Sequence, residues 1–498
     1  MKKALFFCLI TLPACLLAQS IQNNDFEQLT TQKDSLFAHW RISVGTSCSI
    51  DSTLKIKGKY AAIIQHDSTT TYGAITQNIP LTQNQVLYWQ LTARVRVEGE
   101  EESFASLFVS TLKGKKRVSF VDMDKEVIKE KKLWREAKLE FFTTPEMDKM
   151  VIGGLIDGEG RAWFDAFTLT QLPLDARKSQ ATKEAKKYMK LAFQHIENNS
   201  IRKDSVDFVK LKNTTNLLIS KAKTTEDCYP AVEYVLGQLG DNHSFLMKPQ
   251  AAEEWVKPAE TQSPETKAKT VSGFGVYMEK QFAYIQMPAF SSGNVEVCQT
   301  YADSLQSIIR SLDNQEIKGW VLDLRQNQGG NCWPMLLGIA PLLGNGKYGY
   351  FVDGNQKRYA WFHTNGKVGL DNGTLLKLPH KSYVLKHQNL PIAVLTGDKT
   401  ASSGEVVTVA FRAVQNVRSF GSPTHGLSTG NSSFDMKDGS RIFLTTSIYA
   451  DRTGKLYGGK ILPDVTIPNA NEIKANDFRN DETLKQAKTW ILGLGEEK

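Results

Sequence analysis

The hydrophobic period of this chain changes between Leu172 and Ala185, and that change limits what it can fold into. Before it, Trp89, Leu91, Ala93, Val95 and Val97 alternate with polar or cationic neighbours, the period-two pattern of a strand with one buried face. Similar runs at 104–112 and 138–143, separated by polar turns, predict a β-sandwich over 19–172. After the change, Ala185, Tyr188, Met189, Ala192, Phe193 and Ile196 fall on one helical stripe. Cys228, Ala231, Val232, Val235, Leu236 and Leu239 fall on another, with a third helical candidate at 204–222 between them. Three such faces bury one another, so a small helical bundle is predicted over 181–249.

A length of 498 residues exceeds what one core usually serves, consistent with several domains. Hydrophobic residues at 41% and charged residues at 23% exclude wholesale disorder. The net charge of +8 is spread over 61 basic and 53 acidic residues without a clustered patch, so no nucleic-acid partner is expected.

Met1-Lys2-Lys3 and the apolar run at 4–17 predict a signal peptide at 1–18, cleaved after Ala18; lipid attachment at Cys15 is the less favoured alternative. No later run is long and apolar enough for a membrane span, so a periplasmic, cell-surface or secreted location is expected. The mature chain keeps Cys48, Cys228, Cys298 and Cys332, dispersed and without metal-ligand spacing. Buried thiols are expected, with no metal and no cofactor.

Residues 250–272, rich in Glu, Lys, Thr and Pro, are expected as a linker. Strands and helices then alternate over 273–470, predicting an α/β core with largely buried strands, and 471–498 is expected as a C-terminal helical tail.

In PIAVLTGDKTASSGEVVTVAF an apolar strand ends, a polar turn presents Ser402 and Ser403, and an apolar helix begins. The amides and positive dipole end of a helix favour a nucleophile that develops negative charge, although the motif read alone favours a simple cap, because capping serines far outnumber nucleophiles. VLDLRQNQGGN carries Gly329 and Gly330, whose lack of a side chain lets backbone amides approach a reacting carbonyl. LGDNHSF places His243 just after a helix.

In this order the three motifs, with the later GSPTHGLSTG and GGKILPDV, resemble the C-terminal processing, or tail-specific, serine peptidase family over about 181–468. The resemblance implies a crotonase-like α/β core and hydrolysis of a protein or peptide substrate. It assigns the nucleophile to Ser402, three positions before Glu405, and the oxyanion hole to Gly330 and the amide of Ser403. Glu405 is expected to hold the helix start. Members that use a Ser-Lys pair carry the lysine where this chain has Leu427, whereas tricorn-like and nisin-resistance-like members use a histidine, here His243. A neutral imidazole suits that work near neutral pH. Ser244, Asp451 and His425 are the candidates for a third member or alternative base, His425 ranking below His243, while Asp464 can be structural. Only the linker occupies the interval where processing members insert a PDZ domain, so preference for C-terminal tails is not expected.

NNDFE, the Trp134 strand and GEGRAWFDAFTL resemble galactose-binding-like jelly rolls, which implies polysaccharide as a further partner. Trp40, Trp89, Trp134 and Trp163 are candidate stacking residues, but core roles are expected for most of them. A non-catalytic scaffold binding a glycan or hydrophobic ligand is the alternative to the peptidase.

Overall fold

The computed structural model describes residues 21–31, 36–43, 45–67, 72–123, 126–174, 179–261, 273–371, 373–468, 478 and 480–496. The segment expected as a signal peptide, with Cys15, lies outside the described residues, as do 262–272 of the expected linker. The chain divides into two compact units: Met1–Thr182 with Lys210–Lys223, and Lys183–Val209 with Thr224–Lys498.

The first unit is built on strands β1 (Arg41–Ile42), β2 (Thr46–Asp51), β3 (Ala61–His66), β4 (Tyr72–Pro80), β5 (Leu87–Gly99), β6 (Phe104–Lys113), β7 (Lys116–Asp122), β8 (Arg135–Thr143), β9 (Lys149–Asp157) and β10 (Gly160–Leu172). They form two five-stranded antiparallel sheets, ordered β1-β4-β9-β6-β7 and β2-β3-β10-β5-β8. The alternation read from Trp89 to Val97 points those side chains into a shared core with Ile64, Leu107, Ile152 and Phe164. Trp40, Trp89 and Trp163 are buried. Their indole N–H groups donate to Asn23 O, Thr143 Oγ1 and Asp51 Oδ2, each at 2.9 Å, so these rings serve the sandwich itself.

Helices α1 (Lys183–Asn199), α2 (Phe208–Leu218) and α3 (Tyr229–Gln238) follow. α1 and α3 belong to the second unit, where the Tyr188 and Tyr229 rings pack 6.0 Å apart. Lys210–Lys223, containing most of α2, groups with the first unit, and Ser220 O and Ala222 O accept from the amides of Gln180 and Thr182. The helical segment thus contributes to both units.

The expected linker begins differently. After β11 (Phe245–Met247), α4 (Pro249–Val256) is an ordered helix. The reason is Trp255, the large aromatic of that stretch: its ring packs edge-on to Phe443 at 5.8 Å and its carbonyl accepts from Gly293 N at 2.7 Å. The stretch 257–273 before the next strand is too short for a PDZ domain.

The α/β core contains β12 (Phe274–Met278), β13 (Phe282–Gln286), α5 (Val295–Asp313), β14 (Gly319–Asp323), α6 (Cys332–Gly338), α7 (Ala340–Leu343), β15 (Gly346–Asp353), β16 (Arg358–Thr364), β17 (Lys367–Leu370), β18 (Gly373–Lys377), β19 (Ile392–Thr396), α8 (Ser403–Ala410), β20 (Val417–Gly421), β21 (Thr429–Asp435), β22 (Arg441–Asp451), β23 (Val465–Thr466) and α9 (Glu482–Glu496). One sheet runs β12-β13-β14-β19-β20-β23, parallel from β13 onward. β14 and β19 are buried along their whole length. Trp320, Leu322, Ile392 and Val394 face one core; Val321, Ala393 and Leu395 face another, closed by Leu484, Ala487 and Ile491 of α9. The expected C-terminal tail is therefore in part a structural layer, because its apolar stripe covers a sheet face that would otherwise meet water. β11, β15 to β18, β21 and β22 form the second sheet of this unit.

Candidate active site

The carboxyl ends of the adjacent parallel strands β14 and β19 open at the same edge, where open α/β sheets place their ligand crevices. Past β19, Thr400 Oγ1 donates to Leu324 O at 2.9 Å and Ala401 N donates to Asn327 O at 3.0 Å, which seats one loop on the other. The backbone then turns sharply: Ser402 has φ +51° and ψ −114°, a conformation that costs a non-glycine residue and persists only when its surroundings hold it. Glu405 holds it, accepting from Ser402 N at 2.8 Å through Oε2. The other oxygen of that buried carboxylate accepts from Thr424 Oγ1 at 2.5 Å and Gly426 N at 3.0 Å. Burial raises the Glu405 carboxyl above its ordinary value, against the lowering effect of these hydrogen bonds.

Gly329 and Gly330, at φ +98° and +118°, lie against this turn. A β-carbon on Gly329 would come within 2.8 Å of Ser402 Cβ, and one on Gly330 within 1.9 Å of Phe290 O. Ser403 Oγ donates to Gly330 O at 2.7 Å, locking the two turns together. Gly330, Ser402 and Ser403 line one cleft of about 840 Å³.

His243 arrives from the loop between α3 and β11. Asp241 shapes that loop, its Oδ1 accepting from the amides of His243 and Ser244 at 2.9 and 2.8 Å. The imidazole Nε2 lies 2.9 Å from Ser402 Oγ, and Nδ1 lies 2.8 Å from Thr429 Oγ1. With Nδ1–H donating to Thr429, Nε2 presents a lone pair to the Ser402 hydroxyl, the arrangement that fits both contacts. Burial pushes the imidazole down to about 4, partly opposed by the charge of Asp241, so it is neutral at pH 7.

The structure brings Ser402, His243, Gly330 and Ser403 together at one cleft. The three candidates for a supporting role stand elsewhere. Ser244 Oγ donates to Asp241 Oδ2 at 2.6 Å and accepts from Thr445 N at 2.9 Å, pinning the histidine loop to β22. Asp451 accepts from Thr453 N at 2.9 Å, Thr453 Oγ1 at 2.6 Å and Tyr457 Oη at 2.8 Å. Burial raises its carboxyl, but these bonds outweigh it and leave it below the ordinary value, as a turn anchor. His425 turns Nδ1 toward Asp398 O at 3.2 Å, on an exposed surface.

The group at the imidazole is instead Thr429, in the GLSTG stretch whose missing lysine drew attention to Leu427. The signal was a hydroxyl two residues after that position, at the start of β21. Tyr449, also unremarked in the sequence, is buried and lines the same cleft as Ser402. Its ring packs 5.6 Å from both Trp361 and Phe351. Among the described residues no cluster of three or more His, Cys, Asp or Glu is arranged to hold a metal ion, and Cys48, Cys228, Cys298 and Cys332 are free thiols.

The family model described as peptidase family S41 matches residues 281–467. Nisin-resistance protein of Lactococcus lactis subsp. lactis is 30% identical over 285 residues, 57% of this chain and 84% of that protein. The chain belongs to peptidase family S41. It is a serine peptidase, and the sandwich-bearing S41 chain is also 28% identical over 210 residues to the carboxy-terminal processing protease CtpA of Bacillus subtilis (strain 168), covering 41% of each. A lipoprotein from Streptococcus agalactiae has the same fold over 63% of this chain and 98% of its own, with a TM-score of 0.51 and 22% identity.

Proposed function

We propose that this S41 peptidase is an exported endopeptidase that cleaves peptide bonds through an acyl-enzyme on Ser402, with His243 as general base. The observation that carries the reading is the 2.9 Å approach of His243 Nε2 to Ser402 Oγ. As Oγ attacks the carbonyl carbon, its proton passes to Nε2. The carbonyl oxygen takes up negative charge facing the amides of Gly330 and Ser403, beside the positive end of α8. Thr429 keeps its contact with Nδ1–H and fixes the ring while the imidazolium exists. Nε2 then gives the proton to the leaving amine, whose departure forms the acyl-enzyme. A water, deprotonated by the same nitrogen, releases the acid and returns the proton to Oγ.

Leu427 supports a histidine over a lysine base, and the short stretch 257–273 supports cleavage without a PDZ tail-binding step. The basic start and apolar run at 1–18 support export. A fluorophosphonate probe and an unfolded protein substrate test the reading. Ser402→Ala is expected to lose both labelling and cleavage, and His243→Ala to lose cleavage by at least about a hundredfold. Full cleavage by the Ser402→Ala variant rejects it.

A further inference from the structure

The active-site cleft carries two aromatic surfaces, one beside each half of the reacting centre. On the histidine side, Phe245 follows His243 by two residues and is 44% exposed. Its ring stacks on Phe443 at 4.8 Å and 4°, and Trp255 stands perpendicular to Phe443 at 5.8 Å. On the side of the glycine loop, Trp333 follows Gly330 by three residues and packs edge-on to Phe351 at 6.3 Å, near Leu375, which is 53% exposed. All six side chains line the cleft that contains Ser402.

Large apolar side chains left partly open to water in a concave site gain free energy when covered by apolar groups. Charge on the cleft wall is sparse: among the described residues it comes from Lys203 and Asp353, apart from His243. Asp353 already accepts from Asn355 N and Lys357 N at 2.9 Å and from Tyr359 Oη at 3.3 Å. A basic side chain entering here would lose water without gaining an unengaged carboxylate, and among the described residues Lys203 is the one lysine or arginine on the wall that an acidic side chain could meet.

The chemistry orients the two surfaces. The departing nitrogen must reach His243 Nε2, so residues after the scissile bond run past His243 toward Phe245. The carbonyl oxygen must face Gly330, so residues before the bond run beside Trp333. We infer that the site takes an uncharged internal peptide segment with large apolar side chains on both sides of the scissile bond, the following one against Phe245 and the preceding one against Trp333. This inference rests on the Ser402–His243 reading and adds the substrate class.

The test uses the whole protein and internally quenched peptides differing only in the residues flanking the bond. Phe or Leu on both sides is expected to give kcat/KM about 10–100-fold above Asp or Lys. A nitrophenyl ester with an apolar acyl part and no residue after the bond separates the two surfaces. Phe245→Ala is expected to lower kcat/KM for the peptide about tenfold further than for the ester, whereas Trp333→Ala lowers both. Phe245→Leu, which keeps an apolar side chain, is expected to restore most of the peptide rate. Equal effects of Phe245→Ala on peptide and ester, or preference for charged flanks, overturns the inference. If fluorophosphonate still labels Ser402 in that case, the serine reading stands; absence of labelling in the unaltered protein overturns both.

Discussion

The hydroxyl of Thr429 stands 2.8 Å from Nδ1 of His243, in the position where an acidic group would complete a triad. A neutral hydroxyl can fix the ring and its tautomer, but it supplies no charge to favour the imidazolium. The base is thereby kept weak. Thr429→Ala is expected to lower kcat by about 10–100-fold with little change in KM, and Thr429→Ser to recover most of it. Steady-state kinetics on one peptide check this, and an unchanged kcat in the alanine variant contradicts it.

Burial sets the pH dependence. The His243 imidazole is pushed down to about 4, so the neutral, base-competent form persists well below the pH at which an exposed histidine takes up its proton, about 6.5. The acid limb of kcat/KM is expected near pH 4, with a plateau from about pH 5 upward. Between about pH 6.5 and pH 4 the unfolded chain binds a proton that the folded one refuses, so this residue's contribution to stability falls as pH drops through that window. Brief assays after pH jumps measure the limb; a midpoint near the free value of about 6.5 contradicts the buried environment.

Gly330 admits no side chain, since a β-carbon there would lie 1.9 Å from Phe290 O. Gly330→Ala must push the glycine loop away from the Phe290 segment that follows β13, displacing an amide proposed for the oxyanion. A loss in kcat of about a hundredfold or more is expected, together with a lower Tm. Thermal unfolding and kcat on the purified variant decide the matter, and wild-type values for both would show that the loop tolerates the shift.

Arg325, in the loop that leads to Gly330, is buried between Asp323 and Asp481, the latter reached by Nη1 at 3.0 Å and Nη2 at 2.7 Å. Asp481 immediately precedes α9. Replacing it by Ala removes one carboxylate from a guanidinium that cannot reach water, at a cost of about 3–5 kcal/mol. Urea unfolding of Asp481→Ala is expected to show that loss, with cleavage falling alongside; an unchanged midpoint refutes the coupling.

The alternation from Trp89 to Val97, the stripe from Ala185 to Ile196 and the apolar runs of β14 and β19 were legible because secondary structure repeats over a few residues and burial follows that repeat. Ser402 was legible as a strand-to-helix serine, and His243 through the resemblance carried by GDNHS. What the sequence could not rank were partners for the imidazole. Ser244, Asp451 and His425 have suitable chemistry, but Thr429, 186 positions along the chain, has the geometry. That choice depends on where β21 falls after Glu405 has tied the Ser402 turn to the 424–426 loop, a long-range packing result with no local period. Trp255 and the apolar face of α9 show the same division. Their polar surroundings suggested a connector and a tail, and only the tertiary fold supplied the surfaces that bury them. Local pattern determined which elements form; contacts between distant elements decided which side chains meet at Ser402.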